Sequence, residues 1–209
     1  MLENFRAAIA PLAELPLAER VTMLNAMRRE LHALSPFRDQ PIDLVEWVPL
    51  AKVHQNDYNP NTVAPPEMAL LYESIAADGY TQPIVTSPDG DTKEIVDGFH
   101  RHRVGRECLD VTERLHGYLP VTTLRSERTD RADRMAATIR HNRARGKHGV
   151  TAMGEIVQEL VRRNWSDEKI ARELGMDPDE VLRLKQMTGL AELFAGQGFS
   201  EAWELRDDQ

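Results

Sequence analysis

Ile95-Val96-Asp97-Gly98-Phe99-His100-Arg101-His102-Arg103-Val104-Gly105-Arg106-Glu107 is the stretch that decides the reading of this chain. An apolar pair of strand character runs into Asp-Gly, and a helix is predicted from Phe99 to Glu107. Glycine lets the backbone approach a ligand closely. A helix starting just behind it points unpaired N–H groups and the positive end of its dipole at the same spot. His100, Arg101 and Arg103 add donors that suit phosphate oxygens. The residues outline either a phosphate site built without a Walker loop or a helix N-terminus whose arginines face solvent.

Working outward, Gln82-Pro83-Ile84-Val85-Thr86 and Lys93-Glu94-Ile95-Val96 read as strands around a turn at Ser87 to Gly90. Glu67 to Ala76 reads as a short helix ended by Asp78-Gly79, and Asn56 to Pro66 as an Asn- and Pro-rich loop. Leu44, Glu46 to Leu50 and Val53 suggest a strand and turn, and Val111 to Leu124 one or two more strands. This mixture predicts a compact α+β domain over 39–127. Ahead of it, 1–38 reads as a helical extension. Leu17, Val21, Leu24, Met27 and Leu31 fall at helical spacing, as expected for a helix packed on the main domain or for a dimerisation helix.

From Arg131 onward the pattern is helical, with helices near 131–143, 151–163, 166–174, 178–187 and 190–204. A second, all-α domain is therefore expected over 128–209. Within it, 166–187 fits a helix-turn-helix. Ile170 and Leu174 give an apolar face, Ala171 is small where the helices cross, and Gly175 permits the tight turn. Asp177, Pro178 and Glu180 then open the next helix as cap, first residue and capping-box partner. The first turn of that helix is acidic, so direct base readout is expected to be weak. Arg162, Arg163, Arg172, Arg183 and Lys185 are the candidate DNA contacts. Docking on a protein is the other reading of the same bundle.

The chain has 209 residues, 41% of them hydrophobic, and a formal net charge of −8. Bulk attraction to nucleic acid is not expected at that charge, and any contact must come from a local patch. Residues 140–185 hold 10 Lys/Arg against 8 Asp/Glu, a modest basic excess. There is no apolar run long enough to span a membrane. The N-terminus does not read as a signal peptide. The single Cys108 excludes an internal disulfide and a multi-cysteine zinc site. No side-chain cluster suggests a metal centre, and a cytoplasmic protein is expected.

Over about Glu46 to Glu107 the chain resembles the N-terminal domain of the ParB/sulfiredoxin superfamily. The order and spacing of Asn59-Pro60, Glu73-Ser74-Ile75, Gly79, Gln82-Pro83-Ile84-Val85 and Asp97-Gly98-Phe99-His100-Arg101 carry the resemblance. It implies a ParB/sulfiredoxin-like fold in which Gly98, Phe99, His100 and Arg101, with Arg103, hold nucleotide phosphates. Gln82, Pro83 and Asn59 would lie beside the nucleotide. The implied ligand is a nucleoside triphosphate, CTP or ATP, with magnesium.

ParB proteins also carry a Glu-Asn-x-x-Arg helix that leads into a helix-turn-helix domain and helps hold nucleotide and magnesium. Here Asn142 and Arg145 match, and His141 stands where that family has Glu. A ParB C-terminal dimerisation domain has no counterpart, so a sliding clamp is not expected. The layout is most similar to the shorter IbrB-like branch. That resemblance implies a DNA-binding co-activator of gene expression acting beside a phosphoadenosine-phosphosulfate-reductase-like partner, with a homodimer as a further expectation.

An enzyme of the same fold is the alternative, either an NTPase (CTPase or ATPase) or a free-serine-type small-molecule kinase. Sulfiredoxin chemistry is excluded, because Phe99 occupies the position of its nucleophilic Cys. The serine kinases use a His-Glu pair after the first strand. His54-Gln55 occupies that place, and Gln cannot act as a general base, so Asp57, two residues on, is the candidate stand-in.

Overall fold

The computed structural model describes residues 1–58, 65–125, 130–143 and 150–194. The chain divides into two compact units, Met1–Gly146 and Lys147–Gln209.

The first unit opens with two helices, α1 (Leu2–Ile9) and α2 (Leu17–Leu34), joined through a 3-10 turn at Ala10–Glu14. Five strands follow: β1 (Glu46–Pro49), β2 (Val53–His54), β3 (Ile84–Asp89), β4 (Thr92–Asp97) and β5 (Tyr118–Thr123). They form one mixed sheet in the order β1-β5-β3-β4-β2. β5 runs antiparallel to β1 and parallel to β3, β4 runs antiparallel to β3, and β2 adds to β4 in parallel. The helices of this part are α3 (Pro65–Asp78), α4 (Phe99–Glu107), α5 (Leu109–Arg114) and α6 (Arg131–Arg143).

One core cluster gathers Val48, Val53, Ile84, Ile95, Leu119 and Val121 from the strands. A second gathers Ile75, Val104 and Val111 from α3, α4 and α5. Tyr80 and Leu115 pack against both and merge them. Gly105 of α4 is forced by this packing. A Cβ there would lie 2.4 Å from the Tyr80 hydroxyl and 2.6 Å from Leu119. α2 lies on the edge strand β1, where Asn25 imitates a neighbouring strand. Its amide donates to the Trp47 carbonyl at 2.8 Å and accepts from the Trp47 N–H at 3.1 Å.

The second unit contains α7 (Val150–Arg162), α8 (Asp167–Leu174) and α9 (Pro178–Phe194). Ser166 caps α8 by accepting from the Lys169 N–H, and Gly175 leaves α8 in the left-handed conformation, φ 65°. Ile156, Val157, Leu160, Ile170, Leu174, Val181 and Leu184 form its core. Trp165 is buried, with the Lys169 ammonium 3.7 Å over its ring.

Three expectations differ from this fold. The span Val111 to Leu124, expected to hold one or two strands, holds one, β5, and its start lies in the helix Leu109–Arg114, which places Val111 fully inside. The helix from 131 groups with the N-terminal unit, because it packs on β4. The last described helix runs unbroken through Gly189 to Phe194, where two helices were expected.

Candidate nucleotide site and helix-turn-helix

β4 ends in Asp97, and Gly98 follows at φ 91° and ψ 24° as the residue that opens α4. That backbone is left-handed, which glycine adopts without cost. With no side chain at this position, the first turn of α4 has no side-chain cap. The first-turn N–H groups of a helix have no partner within the helix.

Arg101 folds back over the glycine and is almost wholly inside. It donates to the Pro83 carbonyl at 2.9 Å, to Gln82 Oε1 at 3.2 Å and to Asp97 Oδ2 at 3.1 Å. The structure thus brings Gln82, Pro83, Asp97, Gly98 and Arg101 to one place. All of these but Gly98 line a cleft of about 360 Å³ whose other walls are Gln40, Pro41, Ile42, Val85, Thr122 and Leu124. The Gln40–Ile42 wall belongs to the link behind α2 and was not anticipated. It is held there because Thr122 Oγ1 donates to the Pro41 carbonyl and Arg125 donates to the Asp39 carbonyl at 2.8 Å.

His100 is half-buried, and both ring nitrogens are shielded without a hydrogen-bond partner. Phe99 meets its ring edge-on at 5.7 Å. Burial, then the charge of Arg103, pushes the His100 pKa down. A shielded, unpartnered imidazole at the head of this helix is a group that a ligand oxygen would satisfy. His102 is fully buried behind the turn, and burial followed by the charge of Arg106 pushes its pKa down as well.

Arg103 is not brought to the turn. It forms a two-pronged pair with Glu107, 3.1 and 3.0 Å, at the far end of α4. Asp57, the stand-in for a kinase base, is gripped by Arg131 at 3.0 Å through both carboxylate oxygens, which holds its pKa below the usual carboxylate range. Next to it, buried Glu94 pairs with Arg134 of α6 at 2.5 Å. Asn59 and Arg145 lie outside the described residues. Asn142 is in the last turn of α6, and its side chain is likewise outside them.

In the helix-turn-helix unit, Lys185 pairs with Asp167 at 2.9 Å and Arg163 with Glu159 at 2.8 Å. Arg172 is exposed, with Glu173 3.8 Å away. Arg162 and Arg183 are exposed on α7 and α9. Gly154 of α7 is close-packed against α9, since a Cβ there would lie 2.7 Å from Thr188. Among the described residues no three His, Cys, Asp or Glu side chains gather as a metal site. No described helix is long and apolar enough to cross a membrane.

Residues 148–196 match the family model of the IbrB-like C-terminal HTH domain. The class is a chain with an IbrB-like helix-turn-helix domain behind a mixed α+β unit built on one five-stranded sheet. The chain is 55% identical over 196 residues to the uncharacterized protein YbdM of Escherichia coli strain K12, covering 93% of this chain and 92% of that protein. It belongs to the YbdM family.

Similar solved structures include the C-terminally truncated chromosome-partitioning protein ParB from Caulobacter crescentus. Its complex with CTP-gamma-S is 18% identical, with a TM-score of 0.41, covering 72% of this chain and 83% of that one. Its complex with the centromeric parS site is 20% identical, with a TM-score of 0.47, covering 71% and 76%.

Proposed function

We propose that the protein is a nucleoside triphosphate-binding regulator whose helix-turn-helix domain contacts DNA. One observation carries the reading: the left-handed, uncapped Gly98 at the head of α4, with Arg101 folded over it at the end of a cleft. Backbone N–H groups, the helix dipole and a guanidinium converge there, and phosphate is the common anion that suits all three. Gln82 and Pro83 border the same cleft, beside where the nucleoside would lie. CTP and ATP are the candidate ligands.

Magnesium would arrive with the nucleotide. The nearest carboxylate, Asp97, is held by Arg101, so the ion would take phosphate and water oxygens, a coordination magnesium favours. Asn142, and Arg145 just beyond α6, would report the ligand to the helical domain. Such linkage is worth roughly 1–3 kcal/mol in known cases. The Arg131 hydrogen bond lowers the Asp57 pKa, which makes its carboxylate a weaker base and disfavours the kinase alternative.

The segment 148–196 carries six Lys/Arg against nine Asp/Glu, and Lys185 is internally paired. DNA contact therefore rests on a few cations, with Arg183 and Arg172 foremost. Titration calorimetry with CTP and ATP tests the ligand, and fluorescence anisotropy of duplex DNA with and without that nucleotide tests the output. Binding of one triphosphate, weakened in Arg101→Lys and coupled to DNA affinity, is the expected result. Rapid phosphate release without DNA would move the assignment to an enzyme.

A further inference from the structure

The cleft beside the Gly98 turn has two unlike ends. At one end Arg101, Asp97 and Gln82 present charged and polar atoms. At the other end Pro41, Ile42 and Leu124 present carbon, and Ile42 is 62% exposed. A row of strand residues joins the two ends. Asp97 pairs with Val85 across β4 and β3, and Val85 pairs with Thr122 across β3 and β5. Two inter-strand steps of about 4.8 Å put Thr122 roughly 10 Å from Asp97. Thr122 Oγ1 then donates to the Pro41 carbonyl, so the strap of residues 39–42 stands one step farther out.

The strap is fixed from outside the cleft. Arg125 Nε donates to the Asp39 carbonyl at 2.8 Å, and the Gln40 N–H donates to the Phe37 carbonyl at 2.8 Å. Asp43, just past the strap, accepts from the Ser35 hydroxyl at 2.9 Å. These bonds hold Ile42 at the cleft with much of its surface in water, where a ligand gains by covering it.

We propose that this strap is the nucleoside-binding wall of the cleft and sets its ligand preference, with the ribose over Val85 and Thr122 and the base against Pro41, Ile42 and Leu124. The inference rests on the reading of the Gly98–Arg101 turn as a phosphate site. A cleft with a guanidinium at one end and carbon at the other matches a ligand with an anionic tail and a ring body. Gln40 is the polar member of the strap, and its carboxamide carries both a donor and an acceptor, which suits the edge of a base.

Titration calorimetry of the full chain in magnesium, with CTP, ATP and inorganic tripolyphosphate, tests it. Tripolyphosphate has the tail without the ring. The wild type is expected to bind one nucleotide roughly tenfold or more tightly than tripolyphosphate, the gain from covering the apolar end. Two variants are compared with it. Gln40→Ala with Ile42→Ala strips the wall, and Arg125→Ala frees Asp39 from a position outside the cleft. All three side chains are exposed, so circular dichroism should not change. Both variants are expected to lose most of the nucleotide margin while binding tripolyphosphate as the wild type does. A wild type without the margin, variants that keep it, or equal losses for all three ligands would overturn the role of the strap and leave the phosphate turn standing. A wild type that binds none of the three overturns the turn itself, and the strap's role with it.

Discussion

Gly98 and Arg101 fit together so closely that a Cβ on the glycine would lie 3.1 Å from Nε and Nη2 of the arginine. The pair makes the turn after β4 a single unit. The missing Cβ lets the arginine lie against the glycine while it reaches Asp97, Gln82 and Pro83. Gly98→Ala is expected to lose stability by about 1–2 kcal/mol from backbone strain alone. It should also weaken triphosphate binding at least as much as any single side-chain change in the turn. Urea unfolding and calorimetry on the same preparation measure the two effects.

Arg101→Ala removes a charge-assisted donor and is expected to cost about 1.5–3 kcal/mol in nucleotide affinity. Because the same guanidinium braces three acceptors within the protein, its melting temperature should fall too. Arg103→Ala breaks only the pair with Glu107 and should leave nucleotide affinity within error. Equal losses from the two variants would refute this division of roles.

Glu94 and Arg134 form an ion pair away from water between β4 and α6. Removing one partner strands the other, and Arg134→Met is expected to cost about 3–5 kcal/mol. The double change Glu94→Leu with Arg134→Met should recover most of that loss, since two apolar side chains need no partner. Denaturant midpoints of the four species close the cycle.

His102 is neutral and fully buried, and its pKa is depressed first by burial and then by Arg106. In the unfolded chain it takes a proton near the ordinary value of 6.5. Below that pH the unfolded state binds more protons than the folded one, so stability falls with pH; above it the curve is flat. Melting temperatures between about pH 7.5 and pH 5 should show this slope, and His102→Leu should reduce it.

Few free cations on the helix-turn-helix imply a shallow salt dependence. With two or three phosphates neutralised per domain, log K against log salt should slope roughly −2 to −3 for one copy. Arg183→Ala should reduce that slope by about one, while Lys185→Ala, whose ammonium already serves Asp167, should change it little. Anisotropy at several salt concentrations distinguishes them.

The turn at Asp97-Gly98 and the helix-turn-helix were legible in the sequence because each is local. A glycine at a change of period, a cap and a small residue at a crossing declare themselves within a few positions. Partners far apart in sequence did not. The bond from Arg131 to Asp57 and the ion pair of Arg134 with Glu94 depend on α6 returning to β4. Residues 111–114 fell inside the span Val111 to Leu124 expected to hold one or two strands, and they are helix because Val111 packs into the core with Ile75 and Val104. The lock between Arg103 and Glu107 was in fact visible as an i, i+4 pair, a spacing that favours such contacts. Gln40 and Ile42 gave no signal at all, since the strap is placed by Thr122 and Arg125.

The place of β5 between β1 and β3 sets an order on synthesis. Glu46 finds its partner only at Val121, and Ile84 shares that same partner from the other side. A nascent chain at about 5–20 residues per second exposes β1 well before the strand it needs. Until Thr123 has left the ribosome, β1 and the β3–β4 hairpin are separate pieces with nothing between them. A stop between Asp97 and Tyr118 would therefore yield no smaller version of this domain, only two unjoined halves exposed to proteolysis.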